Sequence, residues 1–499
     1  MANLMIQGTM SNAGKSILTA ALCRIFKQDG YSVAPFKSQN MALNSYITRD
    51  NLEMGRAQVV QARACKIEPE VTMNPILLKP TTDVGSQVII KGRVVGNMSA
   101  AEYFDKKKSY IPTIMEAYRE LEDKYDIIVI EGAGSPAEIN LRKDDIVNMG
   151  LAELVDTPVL LVGDIDRGGV FAQLYGTVEL LAKSEKERIK GFIINKFRGD
   201  KKLLLPGLDM LYEKTGKETL GVVPYMNIDI EDEDSLTERF LKEEKGIIDI
   251  AVIKLPRISN FTDFQALSMD ERLTVRYVSE KSKLGNPDVI ILPGTKNTIS
   301  DMKWLTESGF AALICKSHAK GTMVVGICGG YQMLGDTIKD EPGVEGARDS
   351  VINGLGLISM NTVFTTEKNR RRVEGRILPI EAPDLKKLSG CKVSGYEIHM
   401  GISQGNEDKC LVELTDLSGN AFTDGRVGEN VFGTYVHGIF DEDEFRNAFI
   451  RMLFDIKGIE YGKEDTDSYE EYQEKQFDEL ARIVRENVDI AGIYEIMGL

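Results

Sequence analysis

Short, nearly continuous apolar runs alternate along this chain with stretches of helical spacing. Leu4-Met5-Ile6 reads as a strand, and Leu18, Ala21, Leu22, Ile25 and Phe26 then recur on one face of a helix. Ser32 to Phe36, Ile127 to Ile130, Thr157 to Val162, Gly191 to Ile194 and Leu220 to Val223 are further apolar runs. They lack the in–out alternation of a half-exposed sheet, so they predict strands covered on both faces. The segments between them are long enough for parallel crossovers. The second half repeats the pattern with Ile248 to Ile253, Asp288 to Leu292, Thr322 to Ile327 and Val431 to Val436. Between the halves, Ile230 to Gly246 is dense in acids and reads as a solvated connector. Near the end, Phe477, Leu480, Ala481, Val484 and Val488 predict an amphipathic helix packed on the body. The expectation is two α/β domains with largely parallel sheets, at 1–230 and 247–445, joined by a connector at 231–246 and followed by a helical extension at 446–499.

The polar residues at the strand ends carry the chemistry. After the first strand comes Gly8-Thr9-Met10-Ser11-Asn12-Ala13-Gly14-Lys15-Ser16, and a helix starts at Gly-Lys-Ser. Strand, glycine-containing loop and helix are what a phosphate-binding loop requires. Backbone N–H groups and the helix N-terminus attract a polyphosphate. Lys15 adds charge at the outer phosphates, and the Ser16 hydroxyl suits magnesium. Gly8 and Gly14 enclose five residues, one more than the common spacing. The second strand ends at Lys37-Ser38-Gln39-Asn40, where Lys37 can reach phosphate or a substrate carboxylate. Asp126 to Ile130 runs into Glu131-Gly132-Ala133-Gly134, and an acid at such a strand end helps to position magnesium. In open parallel sheets, ligands sit outside the carboxyl ends of strands.

In the second half, Gly326-Ile327-Cys328-Gly329-Gly330 joins an apolar strand to a helical segment, in the manner of a nucleophile elbow. Cys328 at a helix start is suited to thiolate chemistry, whereas the other five cysteines lack such a setting and read as structural. The proton partner is one of three histidines. His437, after an apolar strand, is preferred; His399 is the alternative, and His318 lies on a polar, solvated stretch. Gly294, in a Pro-Gly loop, and the N–H of Gly329 are candidates for an oxyanion hole.

Composition narrows the classes. A chain of 499 residues with 42% hydrophobic content can bury more than one core. A net charge of −16 argues against non-specific binding to nucleic acid or anionic membranes. No apolar run is long enough for a membrane span. The scattered cysteines fit a reducing compartment, and with no signal peptide a cytoplasmic location is expected.

Taken together, the motifs resemble known families. Cys328, His437 and the Pro293-Gly294 loop resemble a class I glutamine amidotransferase domain. The longer glycine spacing, the Glu-Gly-Ala-Gly strand end, and Asn195 followed by a Leu-Gly-Val-Val-Pro strand ending at Pro224 resemble the dethiobiotin-synthetase-like phosphate-loop ATPases. The fold implied is a P-loop NTPase-like domain followed by a class I glutamine amidotransferase-like domain. That order, with Phe36 to Asn44 and Gly163-Asp164-Ile165-Asp166-Arg167-Gly168-Gly169, resembles the cobyric acid synthase family over nearly the whole chain.

This resemblance implies ATP- and glutamine-dependent amidation of a corrinoid polycarboxylate, the b, d, e and g carboxylates of adenosylcobyrinic acid a,c-diamide. It implies nucleotide contacts from Gly8, Thr9, Gly14, Lys15, Ser16, Lys37, Asn195 and Pro224, and metal contacts from Ser16 and Glu131. Asp145 or a neighbouring acid would assist at the substrate carboxylate, while Cys328 and His437 hydrolyse glutamine. Ile439 stands where the wider amidotransferase pattern has a glutamate, so His437 is oriented otherwise, by Glu397 or a backbone group. The competing readings are a cobyrinic acid a,c-diamide synthase, a CTP-synthase-like ligase, and a partitioning-type ATPase switch. Thr9 stands where such switches carry an extra lysine.

Overall fold

The structure is a computed structural model describing residues 1–82, 85–230, 246–462 and 468–499. The chain forms two compact units. One comprises Met1–Ala42, Glu53–Glu233 and Glu470–Leu499; the other comprises Leu43–Leu52 and Asp234–Tyr469. Apart from Gly246, the expected connector at 231–246 lies outside the described residues.

The first unit is built on six strands: β1 (Ala2–Gly8), β2 (Val33–Phe36), β3 (Ile127–Glu131), β4 (Val159–Asp164), β5 (Ile189–Phe197) and β6 (Glu218–Pro224). Their order is β6-β5-β4-β1-β3-β2, and every neighbouring pair is parallel. β2 and β3 are buried throughout, as their unbroken apolar character predicts. The chain leaves β1 toward β2 on one side of it and later fills the other side with β4, β5 and β6. The order of strand addition therefore reverses beside β1, and the phosphate loop leaves the carboxyl end of β1 there.

The helix Lys15–Gln28 covers this sheet with Leu18, Leu22, Ile25 and Phe26. Against the same core lie Phe477, Leu480, Ala481 and Val484 of the helix Tyr469–Asn487. Each fully buried side chain of this size contributes roughly 1.5–3 kcal/mol. Arg24, almost fully enclosed, is held by Glu474 at 2.6 Å and Asp478 at 2.8 Å. Losing both acids would leave a buried, uncompensated cation.

The second unit carries a nine-stranded sheet. Its strands are β7 (Ile248–Ile253), β8 (Leu273–Val278), β9 (Val289–Leu292), β10 (Met323–Ile327), β11 (Asn369–Ile377), β12 (Lys392–His399), β13 (Cys410–Asp416), β14 (Ala421–Val427) and β15 (Val431–Thr434). The order is β8-β7-β9-β10-β15-β14-β13-β11-β12. The five strands from β8 to β15 are parallel, and the remainder extend the sheet antiparallel. That extension was not expected. Its strands mix exposed, half-buried and buried positions without the unbroken apolar run that marked the parallel ones.

The tail also differs from one helical extension at 446–499. The helix Asp443–Ile456 belongs to the second unit, where Phe445 and Phe449 pack edge-on against Phe432 of β15. The helices Tyr469–Asn487 and Ile490–Met497 supply core residues to the first unit. Each helix goes where its apolar stripe finds a complementary face, and sequence proximity does not decide that.

Candidate functional site

In the first unit, the phosphate loop, Lys37 and Glu131 converge at the carboxyl ends of β1, β2 and β3. Gly14 has φ +98°, and a Cβ there would fall 2.0 Å from Asn195 Nδ2, so only glycine fits. Asn195 Nδ2 donates to Ala13 O at 3.0 Å and ties β5 to the loop. Asn195 Oδ1 is buried without a hydrogen-bond partner, an acceptor suited to a base amino group. Pro224, at the end of β6, is in register with Phe197 of β5. The Lys15 stem packs over Gly8, and Thr9 donates to Gln173 Oε1 at 3.0 Å. Lys15 Nζ donates to Met10 O at 3.1 Å and Gly134 O at 3.2 Å.

Glu131 is the hub of this site. One carboxylate oxygen accepts from Ser16 Oγ at 2.8 Å and from Lys37 Nζ at 2.9 Å. The other accepts from Gln61 Nε2 at 2.5 Å. Glu131 and Lys37 are both buried, and a buried carboxylate is tolerable only when paired and hydrogen-bonded in this way. Gln58 and Gln61, on the helix Arg56–Ala64, were not singled out from sequence. Nothing in the local pattern gives the direction of that helix's polar face. Among the described residues, no group of three or more His, Cys, Asp or Glu could hold a metal ion. Magnesium needs only one or two protein oxygens beside phosphates and water, and the Ser16 hydroxyl with the Glu131 carboxylate fits that requirement.

Asp145 has a different surrounding from the one expected. Its carboxylate accepts from the backbone N–H groups of Val147 at 2.9 Å, Asn148 at 3.0 Å and Gly150 at 3.0 Å. Only Gly150 lies within the helix Met149–Leu154, whose N-cap is Asn148, so the Asp145 carboxylate organises the turn that leads into that helix. Its neighbour Asp144 pairs with Lys108.

In the second unit, Cys328 sits between β10 and the helix Gly329–Leu334 with φ 51° and ψ −108°. A non-glycine residue in this region is strained, and such strain collects at functional turns. The turn is tight enough that a Cβ at Gly330 would fall 1.9 Å from Leu292 O. Cys328 N donates to Thr434 O at 2.8 Å, which ties the elbow to β15.

His437 follows β15 and lies close enough to Cys328 for the sulfur to act on its imidazole, while Cys328 Sγ itself donates to Ile398 O at 3.6 Å. Its Nδ1 lies 2.6 Å from Asp263 Oδ2, and Gly438 N donates to the other Asp263 oxygen at 3.2 Å. Burial works against protonating His437. The adjacent Asp263 carboxylate and the Cys328 sulfur outweigh it and push the imidazole up to about 10. A protonated imidazole beside a thiol stabilises the thiolate and is ready to give a proton to a leaving group.

Glu397 therefore does not orient His437. It pairs with Arg371 at 2.5 Å and lies 3.9 Å from His399. Burial raises the Glu397 carboxyl, but His399 and Arg371 hold it below the usual range. His399 stacks on Tyr435 with ring centroids 3.7 Å apart, and its Nδ1 lies 2.9 Å from Gly401 O. His318 ends the helix Phe310–His318, half-buried among exposed neighbours, and that burial lowers its pKa.

Asp263 was missed in the sequence. It lies on the nine-residue 3-10 segment Phe261–Met269, almost all of it buried, which leaves no amphipathic pattern to read. The available signal was an acid two residues after Phe261 and next to Phe264, since such surroundings demand a partner. A Cβ at Gly294 would come 3.0 Å from His437 Cε1, and one at Gly329 would lie 3.2 Å from Thr295 N. The two glycines expected at an oxyanion site thus flank the Cys328–His437 pair.

Two family models match the chain. The CobQ/CobB/MinD/ParA nucleotide binding domain covers residues 4–236, and the CobB/CobQ-like glutamine amidotransferase domain covers 249–445. The cobyric acid synthase of Lachnoclostridium phytofermentans is 56% identical over 509 residues, covering 99% of both chains. That of Ruminiclostridium cellulolyticum is 56% identical, covering 99% of this chain and 96% of its own. That of Clostridium acetobutylicum is 54% identical, covering 100% and 99%. With these full-length matches, and a phosphate loop and a cysteine elbow in one polypeptide, the chain belongs to the cobyric acid synthase family.

Proposed function

We propose that the chain converts the b, d, e and g carboxylates of adenosylcobyrinic acid a,c-diamide into amides, using ATP and glutamine, in the cytoplasm. The observation that carries this reading is the Cys328–His437–Asp263 arrangement, in a chain whose Ser16, Lys37 and Glu131 are gathered behind a phosphate loop.

A carboxylate and ammonia form a salt in water and not an amide, so the carboxylate needs a better leaving group. A substrate carboxylate oxygen attacks the ATP γ-phosphorus; the bond to the β-phosphate oxygen breaks, giving an acyl phosphate and ADP. Lys15, Lys37 and the loop N–H groups hold and neutralise the phosphates. Ser16 and Glu131 would hold magnesium, which supplies charge neutralisation between the phosphates. Asn195 and Pro224 border the base. Ammonia then attacks the acyl carbon, and phosphate leaves.

The nitrogen comes from glutamine. The Cys328 thiolate attacks the side-chain amide carbon. The N–H groups of Gly294 and Gly329 receive the oxyanion, and His437 gives its proton to the departing ammonia. Water, deprotonated by the now neutral His437, cleaves the thioester and releases glutamate. Asp263 holds the His437 ring with Nε2 toward the reaction.

Mass spectrometry of adenosylcobyrinic acid a,c-diamide after incubation with ATP, magnesium and glutamine tests this reading. Stepwise replacement of carboxyl by carboxamide at the remaining acetate and propionate side chains supports it. Unchanged substrate, with amidation of cobyrinic acid itself, would instead favour the a,c-diamide synthase reading.

A further inference from the structure

The segment Leu43–Leu52 belongs to the second unit, although its flanks on both sides, through Ala42 and from Glu53, belong to the first. It reaches the surroundings of His437 by a closed set of hydrogen bonds. Ser45 N donates to Asn260 Oδ1 at 3.1 Å, Asn260 Nδ2 donates to the Tyr396 hydroxyl at 3.1 Å, and that hydroxyl donates to Ser45 O at 3.0 Å. Ser45, Asn260 and Tyr396 are all buried, so none of these bonds competes with water. The Tyr46 ring meets the Tyr396 ring edge-on at 5.3 Å.

Both residues gripped by Ser45 support the histidine. Tyr396 stacks on the His437 ring at 5.3 Å with an interplanar angle of 22°. It also exchanges backbone hydrogen bonds with His437, at 2.9 and 3.1 Å. Asn260, with φ 50°, starts the turn that carries Asp263, the partner of His437 Nδ1. One backbone unit of the 43–52 segment thus fixes the stacking surface of the imidazole and the foot of its carboxylate partner. The chain immediately before it runs from Lys37, whose ammonium holds Glu131 behind the phosphate loop.

We propose that Leu43–Leu52 is a positioning strap for the glutaminase: Ser45 and Tyr46, acting through Tyr396 and Asn260, set the geometry of His437, so that glutamine hydrolysis depends on a loop issuing from the nucleotide-binding unit. This rests on the assignment of Cys328 and His437 as the glutaminase pair. Tyr396, Asn260, Ser45 and Tyr46 are positioning residues and take no part in bond making.

The test uses the full chain with ATP, magnesium and corrinoid substrate, and follows glutamate release and amidation from ammonium salts. Tyr396→Phe removes the hydroxyl bonds and keeps the ring, and Tyr46→Ala removes the edge contact. Each lowers kcat for glutamate release by about tenfold while KM for glutamine stays within about twofold. Tyr46→Phe restores kcat to within about twofold of the parent. Amidation from ammonium holds its rate in all three variants. The proposal is overturned if kcat is unchanged in both Tyr396→Phe and Tyr46→Ala, if KM rises in place of the fall in kcat, or if ammonium-driven amidation falls equally. Glutamate release persisting in Cys328→Ser would instead overturn the underlying glutaminase assignment and leave the strap a separate question.

Discussion

Two buried carboxylates, Glu131 in the first unit and Asp263 in the second, are used differently. Glu131 ends a parallel strand, Asp263 lies on the helical segment Phe261–Met269 between β7 and β8, and each faces a basic side chain. Glu131 is bonded at once to a lysine, a serine hydroxyl and a glutamine, a cluster of side chains drawn to one point. Asp263 faces one histidine, and that histidine faces one cysteine. The first arrangement, with lysine and serine donors gathered on one carboxylate, suits a ligand that brings its own charge, such as a polyphosphate. In the second, the carboxylate already fixes the imidazole beside the cysteine with no outside group. A phosphoryl-transfer site is mainly a positioned charge field, whereas a covalent-catalysis site needs its proton path in place.

The sharpest way to break this comparison is to disable one site and ask what the other still does. Cys328→Ser should lower glutamine-dependent amidation by about a thousandfold or more, by analogy with loss of a nucleophile elsewhere, and leave amidation from ammonium intact. Lys15→Ala should lower amidation from both nitrogen sources by roughly a hundredfold or more, since charge stabilisation of the transferred phosphoryl is lost. Product formation from glutamine and from ammonium, followed side by side, checks both. An equal loss from both sources in a well-folded Cys328→Ser variant would show that the sites are not separable.

Asp263→Asn sharpens the comparison at the level of one hydrogen bond. Glutamate release should fall by about 100- to 10,000-fold, because the amide supports the wrong tautomer and no longer stabilises the imidazolium. The pH dependence follows from His437. Its value rises from 6.5 to about 10, so the imidazolium persists through neutral pH and is lost as pH climbs toward about 10. The alkaline limb of the kcat profile for glutamate release should therefore lie high in the parent and move to lower pH in Asp263→Asn. The linked effect on stability has the same sign. Because the folded value exceeds 6.5, the contribution of protonated His437 is complete below about 6.5 and is lost as pH rises to about 10.

The smallest effect concerns Asp145. Its replacement by alanine removes the acceptor of three backbone N–H groups and should cost about 1 kcal/mol, read as a lower denaturation midpoint. A collapse of ammonium-driven amidation at unchanged stability would return Asp145 to the substrate carboxylate.

What the sequence alone determined was local. Periodicity marked the strands and helices, glycines marked the tight loops, and Gly14-Lys15-Ser16 and Gly326-Ile327-Cys328 named a phosphate loop and a nucleophile because each is written in consecutive residues. Lys37 and Glu131 could be placed at strand ends, since a parallel sheet gathers its carboxyl ends along one edge. The tertiary structure alone decided which distant groups meet. Asp263 pairs with His437 from 174 positions away, Gln61 reaches Glu131 from 70, and Ser45 grips Tyr396 from 351. It also divided the tail between the units and bound the Asp145 carboxylate to the backbone of the following turn. These outcomes depend on which faces pack together and how irregular turns aim a side chain. Neither leaves a period in the chain, whereas burial of each charge made a partner obligatory without saying which residue it would be.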